Sequence, residues 1–357
     1  NHTHHSASLH HPHPPLRPPS QPARSHPPWI ILAMASTISC TKTTVAAQPA
    51  RLAGRAARGV APRPAISSPL RARLSAGPAA RRLAASRRAP SGARAAVGEG
   101  QGGLEMVTLT SGDTVAEVYT FGGVCTSWKV NGKDVLYVRP DAKFDKSKPI
   151  SGGIPHCWPQ FGPGDMQVHG FARNEQWELT SSSDDSCTMT LLPSDYTKGM
   201  WDYDFKVTQT IALKGDSLEA TMTVTNTDSK DFTFTGSFHT YFACEDIGDV
   251  SVGGLSGLTV LDRLANKQDI VSGDVTISGP VDSVYYDMKT NPLSLAVGGG
   301  RTVSIGYAGW PDAVVWSPWT DMESCYKEFV CVENAAAKPV TVAAGSSWTG
   351  VMTLACK

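Results

Sequence analysis

From Leu104 onward the chain is a succession of short runs in which apolar and polar residues alternate, each closed by Gly, Pro, Asn or Asp. Such runs cover residues 114–120, 125–130, 135–138, 187–192, 205–213, 218–225 and 232–242. A period of two puts every second side chain on the same face, the pattern of a strand with one covered side. No stretch keeps helical spacing for three turns. Asn131-Gly132 between two runs is the two-residue hairpin signal, and Lys214-Gly215-Asp216 marks another tight return. The expectation is an all-β sandwich or barrel of antiparallel strands with a sheet face free for a ligand.

This pattern governs only part of the chain. Residues 1–97 hold 13 Arg and one Lys with no Asp or Glu, which leaves 18 basic against 32 acidic groups, a net 14 negative, for the other 260 residues. The first part is rich in Ala, Arg, Ser and Pro and too poor in large apolar residues to offset its ordering entropy. Residues 1–33, a His/Pro/Ser tract without an initial Met, are expected to be a non-native or untranslated leader, with Met34 as the start. Residues 34–97 have the composition of an organelle transit peptide, and residues 94–97 offer a cleavage site. The alternative, a basic arm for nucleic acid or anionic lipid, lacks the aromatic residues that stack on bases. The apolar cluster at residues 29–34 is far too short to span a bilayer. Residues 98–357 are expected to form one domain. Its acidic balance argues against nucleic acid as a partner, and no membrane segment is expected.

The domain has seven cysteines, at 125, 157, 187, 244, 325, 331 and 356, with no CxxC pair and no zinc-like spacing. They are expected to be reduced thiols. Its three histidines are His156, His169 and His239. Two of them lie in residues 151–174, SGGIPHCWPQFGPGDMQVHGFARN, a Gly/Pro-punctuated stretch with neither helical nor strand period. A rigid loop of this kind on a sheet scaffold is a place for binding or chemistry.

Two further segments carry ionisable groups. In residues 231–242, DFTFTGSFHTYF, the phenylalanines at 232, 234, 238 and 242 share one face, so His239 shares the other with Thr233, Thr235, Ser237 and Tyr241. A face of hydroxyls suits a polyhydroxylic ligand; the plainer reading is a solvent-facing histidine. In residues 326–335, YKEFVCVENA, Glu333 shares a face with Phe329 and Cys331. Apolar neighbours would push its carboxyl toward the range useful for proton transfer, whereas a surface salt bridge is the plainer reading. Trp158, Trp316 and Trp319 are each either packed or available to stack on a sugar ring.

GGIPHCWPQFGPG, HGFARN, FHTYF and VCVENA, in that order, resemble the hexose-6-phosphate mutarotase (glucose-6-phosphate 1-epimerase) branch of the aldose 1-epimerase superfamily. The likeness covers about residues 101–356 and is nearest to the plastid-type, apospory-associated protein C-like group. It implies a galactose-mutarotase-like supersandwich, a monomer without cofactor or metal, acting on a hexose 6-phosphate in the chloroplast stroma. His239 would be the general acid to the ring oxygen and Glu333 the general base on the anomeric hydroxyl. His169 would position the sugar, Arg173 would bind its phosphate and Asp282 its hydroxyls. Gln160 and Trp316 complete the expected substrate contacts. Many members have Arg before GGIP, where this chain has Ser151, which implies a weaker grip on phosphate, eased by Lys143, Lys146 or Lys148. Two alternatives stand beside this reading: a silent sugar-phosphate binder on the same fold, and a metal enzyme using the three histidines.

Overall fold

A computed structural model of the chain describes residues 95–357. The expected leader and all but the last three residues of the expected transit segment lie outside them. The strand Ala96–Glu99 spans the expected boundary after Val97 and pairs with Glu105–Ser111.

The strands form three sheets of five, nine and eight, and the pairings between them are antiparallel. The α-helix among the described residues is one turn, Asp195–Lys198. This is the expected antiparallel supersandwich. The local reasons are those of the sequence. Phe205–Lys214 and Ser217–Asn226 bury every second residue and meet at a tight turn with Gly215 at φ +60°. Asn131 and Gly132 both take positive φ, as a hairpin turn matched to the sheet twist requires.

Two expectations are corrected. Residues 135–138 form no strand; Leu136 and Val138 make isolated bridges, to Phe242 and Gly152. The run 232–242 is two strands, Phe232–Phe238 and Tyr241–Ala243, because the His239 amide leaves the ladder to bond the Pro155 carbonyl at 2.9 Å.

The eight-stranded sheet positions the site. Its central strand, Phe329–Val342, lies between Asp312–Ser317 and Phe232–Phe238. Val330, Val332 and Ala336 face inward to the main core, where Phe234 meets Trp348 of the nine-stranded sheet at 5.1 Å. Phe329, Cys331 and Ala335 pack in two smaller clusters on the other face, with Tyr241, Val284 and Val314. Glu333 shares that parity, so the period of two sends a carboxyl onto a face that is otherwise apolar.

Candidate active site

Residues 151–174 are held as one folded-back loop. The Trp158 amide donates to the His169 carbonyl at 3.1 Å, and the Phe171 amide returns to the Trp158 carbonyl at 3.0 Å. Gly170, at φ +66°, sits where an added Cβ would fall 2.3 Å from the Trp158 carbonyl oxygen, so the return demands glycine. Phe171 meets Trp158 edge-on at 5.5 Å and Trp158 meets Phe205 at 4.8 Å. Such pairs contribute about 0.5–1.5 kcal/mol each beyond burial. The loop thus carries His169 on a rigid support. His169 itself has φ +69°, a left-handed conformation that costs a residue with a β-carbon about 1–2 kcal/mol.

Against this loop lies a cavity of about 230 Å³ lined by Phe161, Gly162, Pro163, Val168, His169, His239, Arg263, Asp282, Val314, Trp316 and Glu333. It is below the roughly 300–1,000 Å³ of sites for drug-sized ligands and suits one small ring. The structure therefore gathers His169 from the loop, His239 from the link after Phe238, and Asp282, Trp316 and Glu333 from three strands. His239 Nδ1 stands 3.5 Å from Glu333 Oε1, and it makes no hydrogen bond among the described residues. The His239 ring is boxed by Tyr241, stacked at 5.0 Å, and by His169 and Trp316, edge-on at 5.4 and 5.6 Å.

Burial decides the charges. It pushes the Glu333 carboxyl up to about 8, against a hydrogen bond that Ser237 Oγ donates to Oε2 at 2.6 Å. Burial pushes His239 down to about 3 and His169 down to about 2, and the Arg173 charge adds to both depressions. The Gly162 amide donates to His169 Nδ1 at 3.1 Å, so a neutral His169 carries its proton on Nε2 and offers a donor there.

Three expected contacts are placed elsewhere. Arg173, in the turn Ala172–Asn174, donates to the Val168 carbonyl at 2.9 Å and does not line the cavity. Its charge acts on His239 and His169 from there, and its Nε has no hydrogen-bond partner among the described residues. Gln160 turns into its own loop, donating to the Gly162 carbonyl at 3.1 Å and accepting from the Met166 amide at 3.0 Å, so it braces the loop. Ser151 pairs through its carbonyl with the Arg139 amide at 3.0 Å and is also off the cavity wall. The three histidines do not converge: His156 lies in the core, its Nε2 bonded to Gln209 Oε1 at 2.8 Å and its ring stacked on Trp177 at 4.9 Å. Among the described residues no group of three or more His, Cys, Asp or Glu could hold a metal ion.

Sequence reasoning missed Arg263. It follows the strand Thr259–Asp262, stands 3.6 Å from Asp282 Oδ1 and lies over the Phe161 ring at 5.3 Å. In the sequence, Asp262-Arg263 has the look of an exposed turn, and no local signal marks it.

The buried imidazoles make stability pH-dependent. All three histidines are pushed below the unfolded value of about 6.5, so unfolding takes up protons as the pH falls through it. Each then costs about 1.4 kcal/mol per pH unit. Glu333 runs the other way, because between about 8 and about 4.5 its raised carboxyl holds a proton in the folded state that the unfolded chain lacks. Three outweigh one. Urea midpoints should fall clearly between pH 7 and pH 5, and His156→Gln should shrink that loss.

Residues 105–355 match the family described as aldose 1-epimerase. The chain belongs to that family. A Cenchrus ciliaris protein named "Putative glucose-6-phosphate 1-epimerase" is 35% identical over 278 residues, 71% of this chain and 84% of its own. An Escherichia coli protein of the same name is 31% identical over 66% of this chain and 84% of its own. Among solved structures, one described as a "putative mutarotase" from Salmonella typhimurium is 25% identical, with a TM-score of 0.65 over 73% of this chain and 96% of its own. A Synechocystis protein at 20% identity and a TM-score of 0.64 shares the fold over 71% of this chain and 95% of its own. For a member of this family, a buried carboxyl beside an imidazole on the wall of a ring-sized cavity supplies the two proton-handling groups that an isomerase needs.

Proposed function

We propose that the protein is a mutarotase that interconverts the α and β anomers of a hexose 6-phosphate, with glucose 6-phosphate as the first candidate. The observation that carries this reading is the Glu333–His239 pair, 3.5 Å apart on the wall of one small cavity. The names borne by the plant and bacterial relatives support the phosphorylated sugar.

Opening a cyclic sugar requires loss of the proton on the C1 hydroxyl and gain of one at the ring oxygen as the C1–O5 bond breaks. Glu333, ionised, takes the first; His239, protonated, gives the second. After rotation about C1–C2 the two reverse roles and the ring closes with either configuration. The pair therefore works with one shared proton. In the buried site that proton rests on Glu333 rather than His239, since burial penalises charge on each. Sugar hydroxyls donating to the carboxylate favour its charged form and send the proton to His239. His169 Nε2–H and Asp282 offer a donor and an acceptor to other hydroxyls. Phe161, Val314 and Trp316 offer apolar surface to the ring's C–H groups. Arg263 is the cavity's cation and our choice for the phosphate.

The acid-free, Arg- and Ser-rich composition of residues 34–97 supports import into a plastid. Its test is whether those residues carry a fluorescent protein into chloroplasts.

The deciding experiment follows the approach of pure α-glucose 6-phosphate to anomeric equilibrium by polarimetry or NMR. Anomers interconvert unaided, so only acceleration proportional to enzyme counts. Binding of the sugar phosphate without acceleration would leave a silent binder.

A further inference from the structure

We propose that Ser237 is a positioning residue that holds the Glu333 carboxylate in its ionised form and so sets the fraction of enzyme ready to open the ring. The inference rests on the acid/base reading above and adds to it a group that touches Glu333 rather than substrate.

The geometry comes from the pairing of Phe232–Phe238 with Phe329–Val342. A register shift between Phe234 and Gly236 leaves Ser237 opposite Ala335, with Cys157 opposite it on the other side. Glu333 is the diagonal neighbour two residues beyond Ala335, on the same face and within reach. Ser237 Oγ meets Glu333 Oε2 at 2.6 Å, and the two residues are 0% and 2% exposed. No other hydrogen bond reaches this carboxyl among the described residues. A short bond from a neutral hydroxyl to a buried carboxyl stabilises the charged form more than the neutral one. It opposes the desolvation that holds the proton on Glu333.

The other groups acting on the carboxyl come from every neighbouring element. His239 faces it at 3.5 Å, Asp282 raises it, Arg263 and Arg173 lower it, and the Cys157 and Cys331 thiols lie close enough to feel its charge. Of these, the Cys157 thiol also touches the Ser237 hydroxyl, whereas the charged groups are carried by other side chains. The pair is active when its single proton sits on His239, and inactive in the one-proton state when that proton sits on Glu333. Losing the Ser237 bond therefore enlarges the inactive share throughout the plateau between the two titrations, and moves the alkaline limb to higher pH. Above that limb the pair has mostly lost its proton. The small active fraction left then depends on His239 alone, so both proteins perform alike.

This gives a signature that a merely structural serine would not produce. In Ser237→Ala, the plateau of kcat/KM against pH should fall about tenfold and its alkaline limb should rise by about one pH unit, the equivalent of one charge-assisted hydrogen bond. The two profiles should meet above the limb. Ser237→Thr, which keeps the hydroxyl on a strand, should retain the wild-type profile. A carboxyl ¹³C NMR titration of Glu333 in the sugar-free protein should show the same displacement in Ser237→Ala. A uniform loss at every pH, or an unmoved Glu333 titration, would overturn the proposal. Activity retained in Glu333→Gln would instead overturn the acid/base reading, and the NMR titration would still report on Ser237.

Discussion

Glu333→Gln should lower kcat/KM for mutarotation by about 10²-fold or more, the usual contribution of a positioned proton acceptor, in a protein that remains folded. The amide is nearly isosteric and can still accept from Ser237 Oγ, 2.6 Å away in the parent. It cannot take a proton from the C1 hydroxyl. His239→Asn should lose a similar factor by removing the donor to the ring oxygen. The amide variant also separates catalysis from stability. With its folded carboxyl raised to about 8, Glu333 favours folding below about 4.5, and that contribution is lost as the pH rises through 8. The Gln variant has no such group. It should be more resistant to urea than the parent at pH 9 while remaining inactive there. Near-normal turnover in a folded Gln variant would end the assignment of the base.

The sheet face that carries this chemistry was readable because period two is enforced by the backbone. Once 232–242 and 326–335 are read as strands, His239 must oppose the phenylalanines, and Glu333 must share a face with Phe329 and Cys331. The structure adds what alternation does not encode. His239 lies beyond the end of Phe232–Phe238, where the chain turns to bond Pro155, and the shift near Gly236 brings Ser237 within 2.6 Å of the carboxyl. A bulge depends on how two distant strands meet, so one strand's residues do not announce it.

Residues 135–138 show the converse. Their β-branched and aromatic residues have strand propensity, yet their neighbours engage them through single bridges to Phe242 and Gly152. The loop 151–174 was legible as rigid and chemically dense, but the division of labour within it was not. Gln160 turns inward as a brace and His169 outward because Gly162 and Gly170 let the chain return on Trp158. Arg263 was invisible for a plainer reason. Its importance lies in a 3.6 Å approach to Asp282, 19 positions away on an adjacent strand.

Arg263→Gln should lower kcat/KM for glucose 6-phosphate by about 10–100-fold while leaving free glucose within about twofold, since a hydrogen bond to a charged group contributes about 1.5–3 kcal/mol. Residues 98–357 carry a net 14 negative charges, so a phosphate approaches against the long-range field and needs a local cation. Three arginines compete for that role. Arg173 gives one nitrogen to the Val168 carbonyl and lies off the cavity wall, and Arg139 is held by Asp141 through bonds at 2.9 and 2.6 Å. Arg263 has only a loose ion pair at 3.6 Å and already lines the cavity. Moving its guanidinium from Asp282 to a phosphate costs little and frees Asp282 to accept from a sugar hydroxyl. The planar fork also matches phosphate in a way a lysine ammonium does not, so Arg263→Lys should recover only part of the loss. The preference for the phosphorylated sugar should shrink as salt is raised. A phosphate-specific loss in Arg139→Gln, with none in Arg263→Gln, would place the phosphate beside Ser151 instead. Equal kcat/KM on glucose and glucose 6-phosphate in the unaltered protein would remove phosphate recognition altogether and leave a general aldose mutarotase.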